Sequence, residues 1–357
     1  MTSRVLVAGF ATRHVAQSAF NAGYSVYAVD HFCDQDLNWY TKDRIRFEDL
    51  ENLPDAIEEM CHRYQFDMLV VTSGAEDLAT GIPLFGTSGE KVARFLDKLD
   101  MQHFFEDLGV PVAGLAQTGK FPAMIKPRRG AGGWRNTIVK DEREITAWKE
   151  LYPEIPYILQ LVVDGRPASV CCVADGTRAR AVAVNEQILR GGSTSAFGFC
   201  GSVTPYEYPL NRHMIAIAET IAASSGCTGT VGIDFVAGKE PVAIEINPRF
   251  QATVDTVETA TGCNLFQLHI NACRGILPEV TPHPAKYAAR GILFADRDMM
   301  IRSDLRRLSP IIADIPWPDT FLEKGQAITS VFGWGGTREA ALALLDKNIK
   351  MVQQYLG

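Results

Sequence analysis

The chain has 357 residues, 46% of them hydrophobic and 22% charged, with a formal net charge of −7. These proportions describe an ordinary folded protein and exclude a low-complexity chain; the length accommodates roughly two or three domains. The acidic balance argues against a surface dedicated to nucleic acid or to an anionic membrane, so the expected ligand is a small anion held by a local basic patch such as Lys126-Pro127-Arg128-Arg129. There is neither an apolar run of ~18 residues nor a signal peptide, so no membrane contact and a cytoplasmic location are expected. The eight cysteines lack paired C-x-x-C spacing and read as reduced thiols. His269 and Cys273 are spaced for one face of a helix; with Cys263 they are better read as core than as metal ligands.

Residues 4–30 read as strand, helix, strand, the opening of an α/β layer. The turn after the first strand, Gly9-Phe10-Ala11-Thr12-Arg13, has one glycine and fails the G-x-G-x-x-G pattern, so a Rossmann-like domain without a nicotinamide is expected. A helix over 55–64, a strand over 67–72 and a short strand over 82–85 follow. A helical pair over 85–109 carries Lys98 and is ended by Val110-Pro111. The first domain is placed at residues 1–95.

The segment FPAMIKPRRGAGGWRNTIV, residues 121–139, predicts a strand ending near Lys126, a glycine-rich turn and a second strand. Gly130, Gly132 and Gly133 permit positive φ and let backbone amides close over phosphate oxygens, while Lys126 and the arginines supply charge. This has the character of a flexible lid. YILQLVVDGRPASVCCVADG, residues 157–176, predicts a strand, a turn at Asp164-Gly165 and a second strand; AVAVNEQIL, 181–189, continues the sheet and carries Glu186. A glycine-rich loop over 190–201 and a helix over 212–224 come next.

VGIDFVAGKEPVAIEINPRF, residues 231–250, reads as a hairpin with its turn at Gly238-Lys239. That turn sets position 234 opposite 243, and the two-residue period puts 243, 245 and 247 on one face. Asp234, Glu245 and Asn247 then converge, with Arg249 just beyond. Three oxygen-bearing side chains suit magnesium, which takes one or two carboxylates plus substrate phosphates. The competing reading is a hairpin with its polar face in water. The apolar residues around it, Val231, Ile233, Phe235, Val242, Ile244 and Ile246, speak for burial, where unpaired carboxylates are costly without a cation. Residues 253–275 read as partly helical, and the tail holds strands at GILFA and over 327–332 and a helix from 337 onward.

In this order, the α/β opening, the DK helix with Lys98, IK with its glycine turn, QLVVDG, and GIDFV with EINPR, the chain resembles the ATP-grasp superfamily of carboxylate–amine ligases and biotin-carboxylase-like enzymes. The resemblance covers roughly residues 1–290. It implies a Rossmann-like N-terminal domain followed by a two-lobed ATP-grasp fold over 96–290, with the lid lobe at about 115–160 and an α/β segment over 291–357 packed on that core. It also implies ATP between the lobes, with Lys98 and Lys126 on its phosphates, the Gly130–Gly133 turn over them, and adenine at the hinge of Gln160, Leu161 and Val162. Asp234, Glu245 and Asn247 match the family's ligands for magnesium, or manganese in its place. Arg249 matches the arginine that steadies the transferred phosphoryl group, and with Lys126 is the catalytic assignment. The family's acidic residue after the hinge, which holds the ribose, is missing from Gly165-Arg166-Pro167-Ala168-Ser169, and Asp164 is the candidate to stand in.

The implied reaction is ATP-dependent amide or peptide bond formation between small-molecule substrates through an acyl phosphate. One alternative is a bicarbonate-activating carboxylase of the biotin-carboxylase type, favoured faintly by residues 326–340, although no biotin-attachment A-M-K-M sequence is present. Another is a non-catalytic ATP-binding regulator, which does not need the full two-metal set. Arg13, His14, Glu76 and the 190–201 loop are expected to shape the substrate pocket. Relatives often dimerise, so a homodimer is the assembly the resemblance suggests.

Overall fold

The structure is a computed structural model, and the residues described are 2–356 except 118, 131, 134 and 191–196. Among the described residues, the chain opens with four parallel strands, β1 (Arg4–Gly9), β2 (Ser25–Asp30), β3 (Arg44–Arg46) and β4 (Met68–Val71), in the order β3-β2-β1-β4. β1 is apolar almost throughout because both faces of the sheet are covered. Val5 and Val7 pack with α1 (Arg13–Asn21) and α2 (Leu37–Tyr40), whereas Leu6 and Ala8 pack with α3 (Leu53–Arg63) on the opposite face. The short strand expected over 82–85 is reduced to an isolated bridge between Leu69 and Leu84, so the sheet ends at four strands.

After α4 (Gly89–Val92), α5 (Lys98–Asp107) starts at Asp97, whose carboxylate accepts from Leu99 N at 2.9 Å, as an N-cap should. A small antiparallel sheet follows, β5 (Ala123–Pro127), β6 (Thr137–Val139) and β7 (Tyr157–Leu161), in the order β6-β5-β7, backed by α6 (Glu142–Leu151) through Ile145 and Trp148.

The largest sheet contains β8 (Arg166–Asp175), β9 (Ala179–Leu189), β10 (Phe199–Thr204), β11 (Thr228–Ala237), β12 (Pro241–Asn247), β13 (Tyr287–Phe294), β15 (Ile312–Ala313) and β17 (Ala327–Gly335). Their order is β12-β11-β8-β9-β10-β13-β17-β15, with β14 (Met299–Met300) and β16 (Phe321–Leu322) forming a separate ribbon. The last strands thus extend the sheet begun by β8. One face packs on α5 and α7 (Asn211–Ser224) through Met101, Phe105, Met214 and Ile221. The other meets α8 (Val254–Thr261) and α9 (Leu265–Cys273). Phe266 and Ile270 of α9 share a core with Val5 and Val7 of β1 and with Cys171 and Val173 of β8, so the first sheet is anchored to the large one. α10 (Arg338–Leu356) closes over β13 and β17 through Ala341, Leu345 and Val352.

Candidate active site

The β11–β12 hairpin carries the centre of the site. Asp234 pairs with Glu245, not with Ala243; the turn holds three residues, and a bulge between Asp234/Glu245 and Phe235/Ala243 adds another. Each irregularity displaces the register by one position. Together they displace it by two, which restores the same face, so Asp234, Glu245 and Asn247 still converge although the expected partner was wrong.

Asn247 Nδ2 donates to Asp234 Oδ2 at 3.1 Å, and Gln187 Nε2, from β9, donates to Asp234 Oδ1 at 2.9 Å. Arg249 Nη2 donates to Asn247 Oδ1 at 3.1 Å, and Arg249 Nε to Glu76 Oε1 at 2.6 Å. Burial, and then the Glu245 charge, push the Asp234 carboxyl up to about 7. Two close carboxylates and an amide oxygen in a half-buried setting form a set that a hard divalent cation would relieve.

Lys126, on β5, is 9% exposed; burial first, with the Lys98 charge opposing its protonation and Glu245 favouring it, lowers its ammonium to about 8. Lys98, the first residue of α5, stands 3.9 Å from Glu245 Oε1 and donates to Gly130 O at 2.6 Å. The glycine-rich turn is therefore docked on the lysine. At Gly133 φ is +69°, and a Cβ there would come within 2.5 Å of Phe197 O, so the turn's approach to the loop before β10 requires glycine.

At the hinge, Gln102 Nε2 donates to Ala113 O at 3.0 Å and to Glu106 Oε1 at 2.8 Å, which leaves the Gln102 oxygen to accept from Gln160 Nε2 at 2.8 Å. Gln160 Oε1 is then buried with no partner among the described residues. An unmet acceptor beside a slot lined by Ala113, Met124, Ile138 and Val236 fits the exocyclic amine of an adenine.

A cavity of about 330 Å³ joins these parts. Lys98, Lys126, Gly130, Gly132, Gly133, Gln160, Leu161, Val162, Asp234, Glu245, Asn247 and Arg249 all line it. Asp164 does not; it is exposed outside the lining, and its carbonyl packs against Gly238. Of the residues expected to shape a substrate pocket, Glu76 reaches the site through Arg249, but Arg13 does not. Arg13 is 3% exposed and spends its guanidinium on Asp255 (2.7 Å) and Asp314 (2.8 Å), joining α1 to α8 and the last segment; His14 beside it is also buried. In the 190–201 loop, Phe197 and Phe199 line the cavity, while 191–196 lie outside the described residues. Glu186, singled out on β9, faces away and pairs with Arg338 and Arg166; its neighbour Gln187 faces the site, a difference that strand alternation decides once one residue of β9 is oriented. His269 accepts from Thr230 N at 2.8 Å and lies 2.9 Å from Phe85 O, and among the described residues no cluster of three or more His, Cys, Asp or Glu could hold a metal. Nor is any helix among them long and apolar enough to cross a membrane.

Residues 95–253 match the family model of the ATP-grasp domain. The chain is 26% identical over 355 residues to an uncharacterised protein of Methanocaldococcus jannaschii, covering 92% of this chain and 87% of that one. Among solved structures it is similar to a biotin carboxylase of Campylobacter jejuni, with a TM-score of 0.79 and 15% identity over 99% of this chain and 95% of that one. It is likewise similar to a phosphoribosylamine–glycine ligase of Thermotoga maritima, with a TM-score of 0.76 and 17% identity over 97% and 96% of the two chains. Two lysines, a glycine turn and a carboxylate pair are thus gathered on one cavity within the segment that matches the ATP-grasp domain, residues 95–253.

Proposed function

We propose that the protein is an ATP-dependent carboxylate–amine ligase that forms an amide or peptide bond through an acyl phosphate, releasing ADP and phosphate. The observation that carries this reading is the single cavity on which Lys98, Lys126, the Gly130–Gly133 turn, Asp234, Glu245, Asn247 and Arg249 meet. Lys126 and Lys98 would hold the phosphates, and the hinge with its unmet Gln160 oxygen would take the adenine. Asp234, Glu245 and Asn247 would hold magnesium, which when bound neutralises the phosphate oxygens and keeps them in line. A substrate carboxylate attacks the γ-phosphorus and ADP leaves; an amine then attacks the acyl carbon, inorganic phosphate departs, and the nitrogen gives up a proton. Arg249 would steady the transferred group. Closure of the β5–β6 turn would keep water from the acyl phosphate.

The same reading divides the chain at residues 1–95, 96–290 and 291–357 and places the protein in the cytoplasm, acting on small molecules, with a homodimer as its assembly. Its test is ADP formation with magnesium across panels of carboxylates and amines. Stimulation by a carboxylate and amine together supports the ligase. Stimulation by bicarbonate alone would replace it with the carboxylase reading, which the likeness to a biotin carboxylase favours.

A further inference from the structure

A second cavity, of about 310 Å³, shares no lining residue with the first. It lies where α1, α2 and α8 meet β13, β15 and β17. Phe332 and Trp334 stand two apart on β17 and share a face, while a Cβ on the intervening Gly333 would run into Ala341 and Leu345 of α10. Strand alternation thus gives the helix one face of β17 and leaves Phe332 and Trp334 on the other. Trp334 is 36% exposed and Trp39, on α2, 41% exposed, and both line the cavity. Two half-exposed indoles offer its mouth a large flat apolar surface.

The inner wall is charged, and its charges do not balance. Arg13 and Arg290 serve three carboxylates: Arg13 Nη1 and Nη2 donate to Asp255 at 2.7 and 2.8 Å, Arg13 Nε to Asp314 at 2.8 Å, and Arg290 Nη2 to Asp314 at 3.0 Å. Asp36 is the one left over. Its oxygens accept from Asp314 N at 2.9 Å and Ile315 N at 2.8 Å, but Arg13 Nε is 3.7 Å away and already given to Asp314. The side chain is 2% exposed and lines the cavity. Burial, opposed by Arg13 and aided by Asp314, raises its carboxyl above its ordinary value, as befits a carboxylate short of counter-charge. An ammonium brought by a ligand would supply that charge.

Lys286, the residue before β13, also lines the cavity; it is exposed and forms no ion pair among the described residues. A buried carboxylate and an exposed ammonium on one cavity are the complement of a zwitterion.

We propose that this cavity binds a free α-amino acid with an aromatic or bulky apolar side chain, its ammonium toward Asp36, its carboxylate on Lys286 and its side chain on Trp39 and Trp334. The inference stands apart from the ligase reading, whose substrates meet at the first cavity. Thermal shift of the full chain tests it, with L-phenylalanine, 2-phenylethylamine, 3-phenylpropionate and glycine as probes. Phenylalanine should raise Tm saturably and half-saturate at least about tenfold below each of the other three, because each of those lacks one of the three contacts. Lys286→Ala should raise the phenylalanine value to that of phenylethylamine and leave phenylethylamine unmoved, whereas Trp334→Ala should weaken both, each variant's own unliganded melting serving as the control for folding. Parity of any other probe with phenylalanine, no response to phenylalanine, or a response unchanged in both variants, as an amino acid held at the first cavity would give, would overturn the site. Sedimentation supplies the last outcome: a wild-type dimer that Trp334→Ala splits into monomers would give this face to a second copy of the chain and overturn the site as well.

Discussion

Gln187 Nε2 donates to Asp234 Oδ1 at 2.9 Å, so a neutral amide from β9 orients the carboxylate that faces Glu245 across the hairpin bulge. Partners of this kind, one shell out from a cation, commonly contribute 10–100-fold to metal affinity. Gln187→Leu should raise the magnesium concentration needed for half-maximal ATP turnover by roughly that factor while leaving the chain folded. An unchanged magnesium titration would separate Gln187 from the cation site.

Asp234→Asn and Glu245→Gln remove charge without removing bulk. Each should lower magnesium-dependent ADP formation by about 100-fold or more, since charge neutralisation at the phosphates carries most of phosphoryl transfer. Turnover within a factor of about two of wild type, measured at saturating magnesium, would end the assignment of this pair.

The Gln102–Gln160 pair predicts a preference for adenine. Gln160 Oε1 can accept from an amino group at purine position 6 but repels a carbonyl there, a difference worth about 1–3 kcal/mol when the group is buried. Gln160→Leu should therefore bring the affinities for ATP and GTP about tenfold closer, and Gln102→Leu should do so in part by freeing the Gln160 amide to rotate. Competitive binding of the two nucleotides decides it.

Glu258, on α8, accepts from Leu265 N at 2.7 Å and from Ser18 Oγ of α1; burial, with Asp255 nearby and Arg13 opposing, pushes its carboxyl up to about 7. Between the ordinary value of 4.5 and 7 the folded chain holds a proton that the unfolded chain has lost, so Glu258 makes stability fall as pH rises through this window and not recover above it. Gln mimics the protonated acid. Glu258→Gln should match wild type at pH 5 and melt roughly 2–4 °C higher at pH 8. An equal Tm difference at both pH values would show that the carboxyl does not titrate in this range.

Much of the site was legible because its chemistry is carried by residue types at strand spacing. Asp234, Glu245 and Asn247 share a face under any even register offset, so their convergence survived an error in the turn and an unforeseen bulge. Lys126 and the glycines after it stood out by composition, and the structure brings them onto the same cavity. Asp164 failed because the preference for an acidic residue beyond the hinge says nothing about which way a turn residue faces. Arg13 failed differently. An arginine after a first strand looks available, and only the fold brings Asp255 and Asp314, from far along the chain, around it.

The order of motifs carried the resemblance that implied the two-lobed architecture, and the alternation within strands put Asp234, Glu245 and Asn247 on one face, since that alternation depends on local periodicity. Which amides point where was decided by tertiary structure. Gln187, Gln102 and Gln251 carry no charge and no spacing signal, and each acquires its place from partners on other elements or from main-chain carbonyls that come within reach only once the chain is folded. A hydrogen bond is a property of two groups brought to within about 3 Å, and the sequence names the groups without measuring the distance.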